Sequence, residues 1–212
     1  MQTVAIIDYN MGNLHSVHRA AEHVAPPDTR VIVTRDPDAI LQAERIIFPG
    51  QGAARDCMRE LHARELIPVI HEVMQKRPFL GICMGLEVLL EHSEENGGIA
   101  CTGFYAGEVR YFGRVQQKNA PRLKIPQIGW NQIWHTRPHP LWEGVPDGAR
   151  FYFVHSYYID PADTGLVCGS TDYGIRYASA IARNNVFAIQ AHPEKSADAG
   201  LQLLSNFMHW NP

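Results

Sequence analysis

Arg77-Pro78-Phe79-Leu80-Gly81-Ile82-Cys83-Met84-Gly85-Leu86-Glu87-Val88-Leu89-Leu90-Glu91 holds the change of pattern on which the fold reading turns. The apolar run from Phe79 to Ile82 has the length and composition of a buried strand. Beyond it, Leu86, Leu89 and Leu90 fall at helical spacing among strong helix formers. Between the two lies Gly81-Ile82-Cys83-Met84-Gly85. A strand that turns directly into a helix strains the backbone of its central residue, and flanking glycines remove the Cβ clashes around the bend. Such a turn lifts the Cys83 side chain above the strand ends, at the positive end of the next helix, where a thiolate is favoured. A lone cysteine reads more simply as a small buried hydrophobe. Two glycines between a strand pattern and a helix pattern favour the other reading, a nucleophile elbow built on cysteine. That nucleophile needs a base and an orienting carboxylate from elsewhere in the chain.

Upstream of the elbow, strands and helices alternate. Residues 3–8 form a buried strand ending in the polar turn 8–13. Asn13 is placed to cap a helix whose apolar side carries Leu14, Val17, Ala21 and Val24, with Pro26-Pro27 ending it. A second strand spans 30–34, a short helix starts at Asp36-Pro37-Asp38, and a third strand spans 45–48. The helical stretch 53–76 contains Pro68, which predicts a break there. This alternation predicts an α/β fold, a doubly wound, mainly parallel sheet flanked by helices, whose active site lies beyond the C-terminal strand ends. The turns after Asp8, Phe48 and Ile82 should then share one crevice.

Downstream, strand signals broken by Gly and Pro dominate at 105–115, 125–136, 151–159, 166–171, 178–182 and 186–190. They predict antiparallel strands added to the first sheet or covering it. A closing helix over 197–210, with Ser196 as N-cap, presents Leu201, Leu204, Phe207 and Met208 on its apolar side. No linker divides the chain, so one domain is expected over 1–212.

At 212 residues with a net charge of −3, the chain is long enough for one well-buried domain. It has no basic run for nucleic acid and no apolar run long enough to span a membrane. The N-terminus lacks the charged start of a signal peptide. Four cysteines (Cys57, Cys83, Cys101, Cys168) stand without metal or redox spacing. Free thiols in a reducing cytoplasm, and neither metal nor cofactor, are therefore the expectation.

Two further segments have both a plain and a chemical reading. Phe48-Pro49-Gly50-Gln51-Gly52 lacks the third glycine of a dinucleotide fingerprint, because Arg55 stands there. It reads as a tight turn before a helix. It reads equally as a loop in which Gly50 and Gly52 bring backbone amides close to a substrate, half of an oxyanion hole. The Met84 amide, directly after the nucleophile, would be the other donor. Near the end of the chain stands His192-Pro193-Glu194-Lys195-Ser196. It reads as a surface turn leading into the last helix. It also supplies a base and its orienter: proline biases His192 to extended backbone. Residues two apart on extended chain point to one side, so Glu194 can reach the imidazole.

The elbow 81–85, the loop 49–52 and the late His192-Pro193-Glu194 together resemble the triad-type, class I glutamine amidotransferases. Ile7-Asp8-Tyr9-Asn10-Met11-Gly12-Asn13-Leu14, Ile128-Gly129-Trp130-Asn131 and Tyr152-Phe153-Val154-His155-Ser156-Tyr157-Tyr158 narrow the resemblance to the glutaminase subunit of imidazole glycerol phosphate synthase, nearly end to end. The resemblance implies hydrolysis of L-glutamine to glutamate and ammonia, with Cys83 as nucleophile, His192 as base and then acid, and Glu194 orienting it. It places the oxyanion between the amides of Met84 and Gln51, and substrate beside Glu87, Ser156 and Tyr157. It implies that ammonia passes to a separate (β/α)8-barrel cyclase subunit, with Asn13, Trp130 and Lys195 near the interface. The cyclase would use the ammonia to make imidazole glycerol phosphate and an aminoimidazole carboxamide ribonucleotide.

The sequence departs from that family in five places. Glu87 stands where Gln is usual, Ala191 where Phe is, Asn10 where Gly is, Gln51 where Val is, and Gln127 where His is. A carboxylate at 87 is expected to pair with the substrate ammonium while placing negative charge near the thiolate, slowing hydrolysis relative to the Gln form. These departures leave two alternatives beside the histidine-pathway enzyme: a paralogue serving another ammonia-using synthase, and a partner-binding module that has lost turnover.

Overall fold

The alternating half of the chain builds the part of the fold that carries the elbow. The computed structural model describes residues 2–115 and 123–212. In chain order it runs β1 (Gln2–Ile7), α1 (Leu14–Val24), β2 (Thr29–Thr34), α2 (Pro37–Gln42), β3 (Arg45–Gly50), α3 (Ala54–Ala63), α4 (Leu66–Lys76), β4 (Phe79–Cys83) and the single turn α5 (Met84–Glu87). There follow β5 (His92–Ser93), β6 (Ile99–Ala100), β7 (Gly107–Tyr111), β8 (Gln127–His135), β9 (Ala149–His155), β10 (Tyr157–Pro161), β11 (Val167–Asp172), β12 (Arg176–Arg183), β13 (Val186–Ile189) and α6 (Ala197–His209). The strands form one mixed sheet in the order β2-β1-β3-β4-β13-β12-β10-β7-β5-β6, with β11, β8 and β9 branching from β12.

From β2 to β13 the pairing is parallel. Strands covered on both faces read as continuous apolar runs, and every residue of β3, β4 and β13 is buried. The two faces are nevertheless distinct. Leu80 and Ile82 pack into a core with Val17 and Ala21 of α1 and Leu203, Leu204 and Phe207 of α6. Phe79 turns to the other core, with Cys57 and Leu61 of α3 and Ile70 and Met74 of α4. The period of two along β4 thus clamps the elbow strand between two helical layers.

Several expectations from the sequence are corrected. The long helix breaks at Glu65 and not at Pro68. Glu65 takes a left-handed conformation (φ 54°) between α3 and α4. Pro68 sits in the first turn of α4, where its missing N–H would have no helical partner in any case. The stretch after Cys83 is one turn of helix, although its leucines are helically spaced. The carbonyls of Val88, Leu89, Leu90 and Glu91 accept hydrogen bonds from the backbone N–H groups of Thr102, Tyr105, Gly103 and Cys101. Those tertiary bonds take the acceptors a longer helix would use, and local propensity yields to them.

The segment expected as one strand over 151–159 is two strands, β9 and β10, separated at Ser156. The segment expected over 186–190 is antiparallel on one edge only, where it meets β12. On the other it pairs parallel with β4, Ile189 beside Ile82, in the middle of the sheet. Ser196 does not cap α6 with its side chain. Its hydroxyl donates to the His192 carbonyl (2.6 Å) and accepts from the Tyr152 N–H (2.9 Å), tying the last loop to β9. Among the described residues, no helix is long and apolar enough to cross a membrane.

Candidate active site

Cys83 ends β4 with φ 56° and ψ −112°, a backbone conformation that L residues rarely adopt. The neighbouring glycines make it possible by close approach. A Cβ on Gly85 would overlap the Phe48 carbonyl oxygen, and one on Gly81 would lie 2.7 Å from the Gly85 carbonyl oxygen. A Cβ on Gly50 would meet the Tyr9 hydroxyl and, at 2.8 Å, the Cβ of Met84. Gly12 packs on the backbone of Gly50, so the turns after β1, β3 and β4 meet, although the first, expected in the same crevice, does not line the cavity. The latter two turns line the catalytic cavity. Asn10, at φ 68°, occupies a backbone region that Asn tolerates better than most residues, which accounts for its standing in a Gly position.

A cavity of about 410 Å³ opens over the strand ends, a size suited to a small metabolite. Gln51, Gly52, Cys83, Met84, Glu87, Ser156, Tyr157, His192 and Lys195 all line it, so one cavity gathers most of the residues singled out from sequence. Parallel pairing of β13 with β4 is what carries the end of the chain there. His192 Nδ1 lies 2.9 Å from Glu194 Oε1, and the two side chains are 3% and 1% exposed. The route differs from the expected extended chain. His192 itself is extended (φ −103°, ψ 93°), but Pro193–Lys195 forms a tight 3-10 turn that folds Glu194 back, with the Lys195 N–H donating to the His192 carbonyl.

With Nδ1 engaged by Glu194, the other ring nitrogen is the one available to Cys83. Burial alone would drive the proton off His192. The Cys83 sulfur, by charge and hydrogen bond, and then Glu194 outweigh burial and hold the imidazole pKa well above its usual value. A one-turn helix has little macrodipole, so the ion-pair partner for a Cys83 thiolate is the imidazolium. Burial pushes the thiols of Cys57 and Cys101 up to about 12, and that of Cys168 higher still. These are inert thiols of the core and its margin, and all four cysteines are free.

Glu87, expected to face the substrate as a carboxylate, is buried against an amide. It is 2% exposed, and its Oε1 accepts from the Gln190 amide at 2.7 Å. Burial pushes its carboxyl up to about 8, against the opposing pulls of that hydrogen bond and of His192 and with a small push from Glu95. Gln190 and Glu95 escaped notice in the sequence. Gln190 lies two residues before His192 at the end of β13, so the same-side rule applied to Glu194 would have found it when read backwards. Glu95 lines the cavity from a three-residue 3-10 turn and caps α3 by accepting from the Ala54 N–H at 2.6 Å, a long-range contact without a local signature.

His155, also on the cavity wall, is a structural group. Its Nδ1 lies 2.6 Å from the Tyr157 carbonyl, with Gln127 Oε1 and the Tyr177 hydroxyl 3.1 and 3.3 Å from Nε2. Burial holds its pKa down to about 4. The Ser156 carbonyl likewise accepts the Phe112 N–H. Asn13 stands away from the cavity as the N-cap of α1, accepting from the Ser16 N–H. Trp130 is 48% exposed on β8; across the β8–β9 ladder Ile128 (56%) faces Val154 (36%), and Val154 reaches the cavity wall.

Comparison with known proteins shows the family of the chain. The family model described as glutamine amidotransferase class-I matches residues 5–210. The imidazole glycerol phosphate synthase subunit HisH of Pseudomonas putida is 53% identical over 211 residues, covering 100% of this chain and 99% of that protein. The protein of the same name from Aromatoleum aromaticum is 53% identical over 214 residues, covering both chains completely. The solved structure of PurLQS from Thermotoga maritima superposes with a TM-score of 0.70 at 15% identity, covering 98% of this chain and 98% of that one, a likeness of fold alone.

Proposed function

The chain belongs to the class I glutamine amidotransferases, in the family of the imidazole glycerol phosphate synthase subunit HisH, and from that premise we propose a residue-level mechanism and a partner. Cys83 attacks the side-chain amide carbonyl of L-glutamine, its proton residing on His192. The tetrahedral oxyanion is held by the backbone N–H groups of Met84 and Gln51, donors placed where charge develops. His192 returns its proton to the leaving nitrogen and ammonia departs. Water, deprotonated by His192, then cleaves the glutamyl thioester to glutamate. Glu194 keeps the imidazole in the required tautomer and balances its charge. Glu87, Ser156 and Tyr157 wall the glutamine pocket. The observation that carries this reading is the meeting of the Cys83 elbow with the His192–Glu194 pair at one cavity.

The ammonia acceptor is a (β/α)8-barrel cyclase in the cytoplasm, which forms a heterodimer with this protein and makes imidazole glycerol phosphate and the aminoimidazole carboxamide ribonucleotide. The apolar strip of Ile128, Trp130 and Val154 beside the cavity supports a docking face there, and Lys195 stands at the cavity wall. Asn13 caps the start of α1, and its place near the interface rests on the family resemblance. Co-purification with the cyclase from the same genome, followed by a glutaminase assay with and without nucleotide ligand, tests the proposal. Stable association and glutamate release stimulated by cyclase and nucleotide are expected, with C83A docking normally but turning over nothing. No association, or turnover that survives C83A, contradicts it.

A further inference from the structure

Position 87 joins two features that do not usually go together: a carboxyl group in the wall of a catalytic cavity, and a neutral amide as its partner. Glu87 ends α5, four residues beyond Cys83, with 2% of its surface exposed. Gln190, fully buried at the end of β13, places one nitrogen 2.7 Å from Glu87 Oε1 and 4.0 Å from Cys83 Sγ. Gln190 Oε1 has no donor among the described residues, so the contacts of Nε2 are what orient the amide. An ionised Glu87 would therefore set a second anion within reach of the same donor as the Cys83 sulfur, each disfavouring the charge of the other. A carboxylic acid avoids this. It presents one O–H donor and one carbonyl acceptor, the same pair of hydrogen-bonding functions as a primary amide.

Resting on the glutaminase reading, we propose that Glu87 works as an uncharged carboxylic acid, positioned by Gln190 and donating a hydrogen bond to bound glutamine, so that hydrolysis proceeds while position 87 is protonated and fails when it ionises. The groups around it come from every neighbouring element. Glu95 faces it from the 3-10 turn after β5, Cys57 from α3, Cys101 from beyond β6 and Tyr157 from β10, while His192 and Lys195 come from the loop after β13. Burial and Glu95 raise its pKa to about 8, with Gln190 and His192 opposing. The sign follows directly: the acid form is present at pH 7 and is lost as pH rises through about 8.

The test compares the wild-type protein with E87Q and Q190M, each in complex with the cyclase, in glutamine kcat/KM across pH. The wild type should fall about tenfold per pH unit beyond the Glu87 titration, as a single essential proton requires. E87Q carries the same hydrogen-bonding functions without a proton to lose, so it should stay level through that window. Q190M, which loses the donor that favours the carboxylate, should move the wild-type limb to higher pH. Infrared difference spectra, wild type against E87Q, should show a protonated-acid carbonyl band at pH 7 that fades over the same range. An alkaline limb unchanged in E87Q, or no acid band at pH 7, overturns the proposal. The band needs no turnover. A protein that shows the band yet hydrolyses no glutamine with any partner upholds the protonated acid and defeats the glutaminase reading beneath it.

Discussion

At Cys83 the backbone and the side chain are under different pressures. A left-handed φ costs on the order of 1–3 kcal/mol, and the fold accepts it because glycines at 81 and 85 let the turn close against Phe48 and Ala188. The side chain gains by it, standing in the cavity where His192 can reach it. The meeting of Cys83, His192 and Glu194 was legible in the sequence because each lies in a short motif with its own backbone logic. Gln190 shares a side with His192 by its spacing of two, but its contacts with Glu87 and Cys83 depend on strand pairing that no local motif shows. At Glu87 the sequence shows the carboxyl and not its burial, which pushes its pKa up. His155 carries a prediction at this scale. Burial keeps it neutral in the fold, with a pKa of about 4 against the ordinary 6.5. As pH falls from 6.5 towards 4, the unfolded chain takes up a proton that the folded one refuses, so stability is lost, by up to about 3 kcal/mol. Urea unfolding across that range should therefore show a steeper loss for the wild type than for H155Q. Parallel curves would mean that His155 titrates normally.

Among the elements, the parallel strands and the helices beside them were read to within a few residues, because burial on both faces gives a continuous apolar run that turn residues bracket. What escaped were the places where distant backbone overrides local pattern. Residues 101–105 occupy the carbonyls that would have extended α5, and β13 inserts beside β4 although its sequence neighbour β12 pairs with it antiparallel. The elbow is also sterically demanding. An added Cβ at Gly85 has a backbone carbonyl in its place, while one at Gly97 meets nothing within 4 Å and suffers only from its φ of 85°. G85A should therefore cost about 3 kcal/mol or more, with loss of turnover. G97A should cost about 1–2 kcal/mol. Comparative denaturant melts decide it, and equal costs would mean that the elbow has room that its geometry denies.

Taken as a whole, the molecule brings a nucleophile from the middle of the chain and a base from near its end to one cavity by pairing β13 parallel to β4. That convergence is what membership in the class I glutamine amidotransferases requires of it, and the two cores on either side of the sheet hold it in place. The sequence motifs implied the convergence through resemblance. They did not show that a tight turn after Pro193 and the ties of Ser196 to His192 and Tyr152 fix the final geometry. The most direct measurement is the rate and site of alkylation by a chloroketone analogue of glutamine, mapped by mass spectrometry in the wild type, H192A and E194Q. The label should fall on Cys83 alone, about 10²–10⁴-fold more slowly in H192A and to a lesser degree in E194Q, leaving Cys57, Cys101 and Cys168 untouched. Labelling at another cysteine, or of Cys83 at the same rate without the imidazole, would contradict the account.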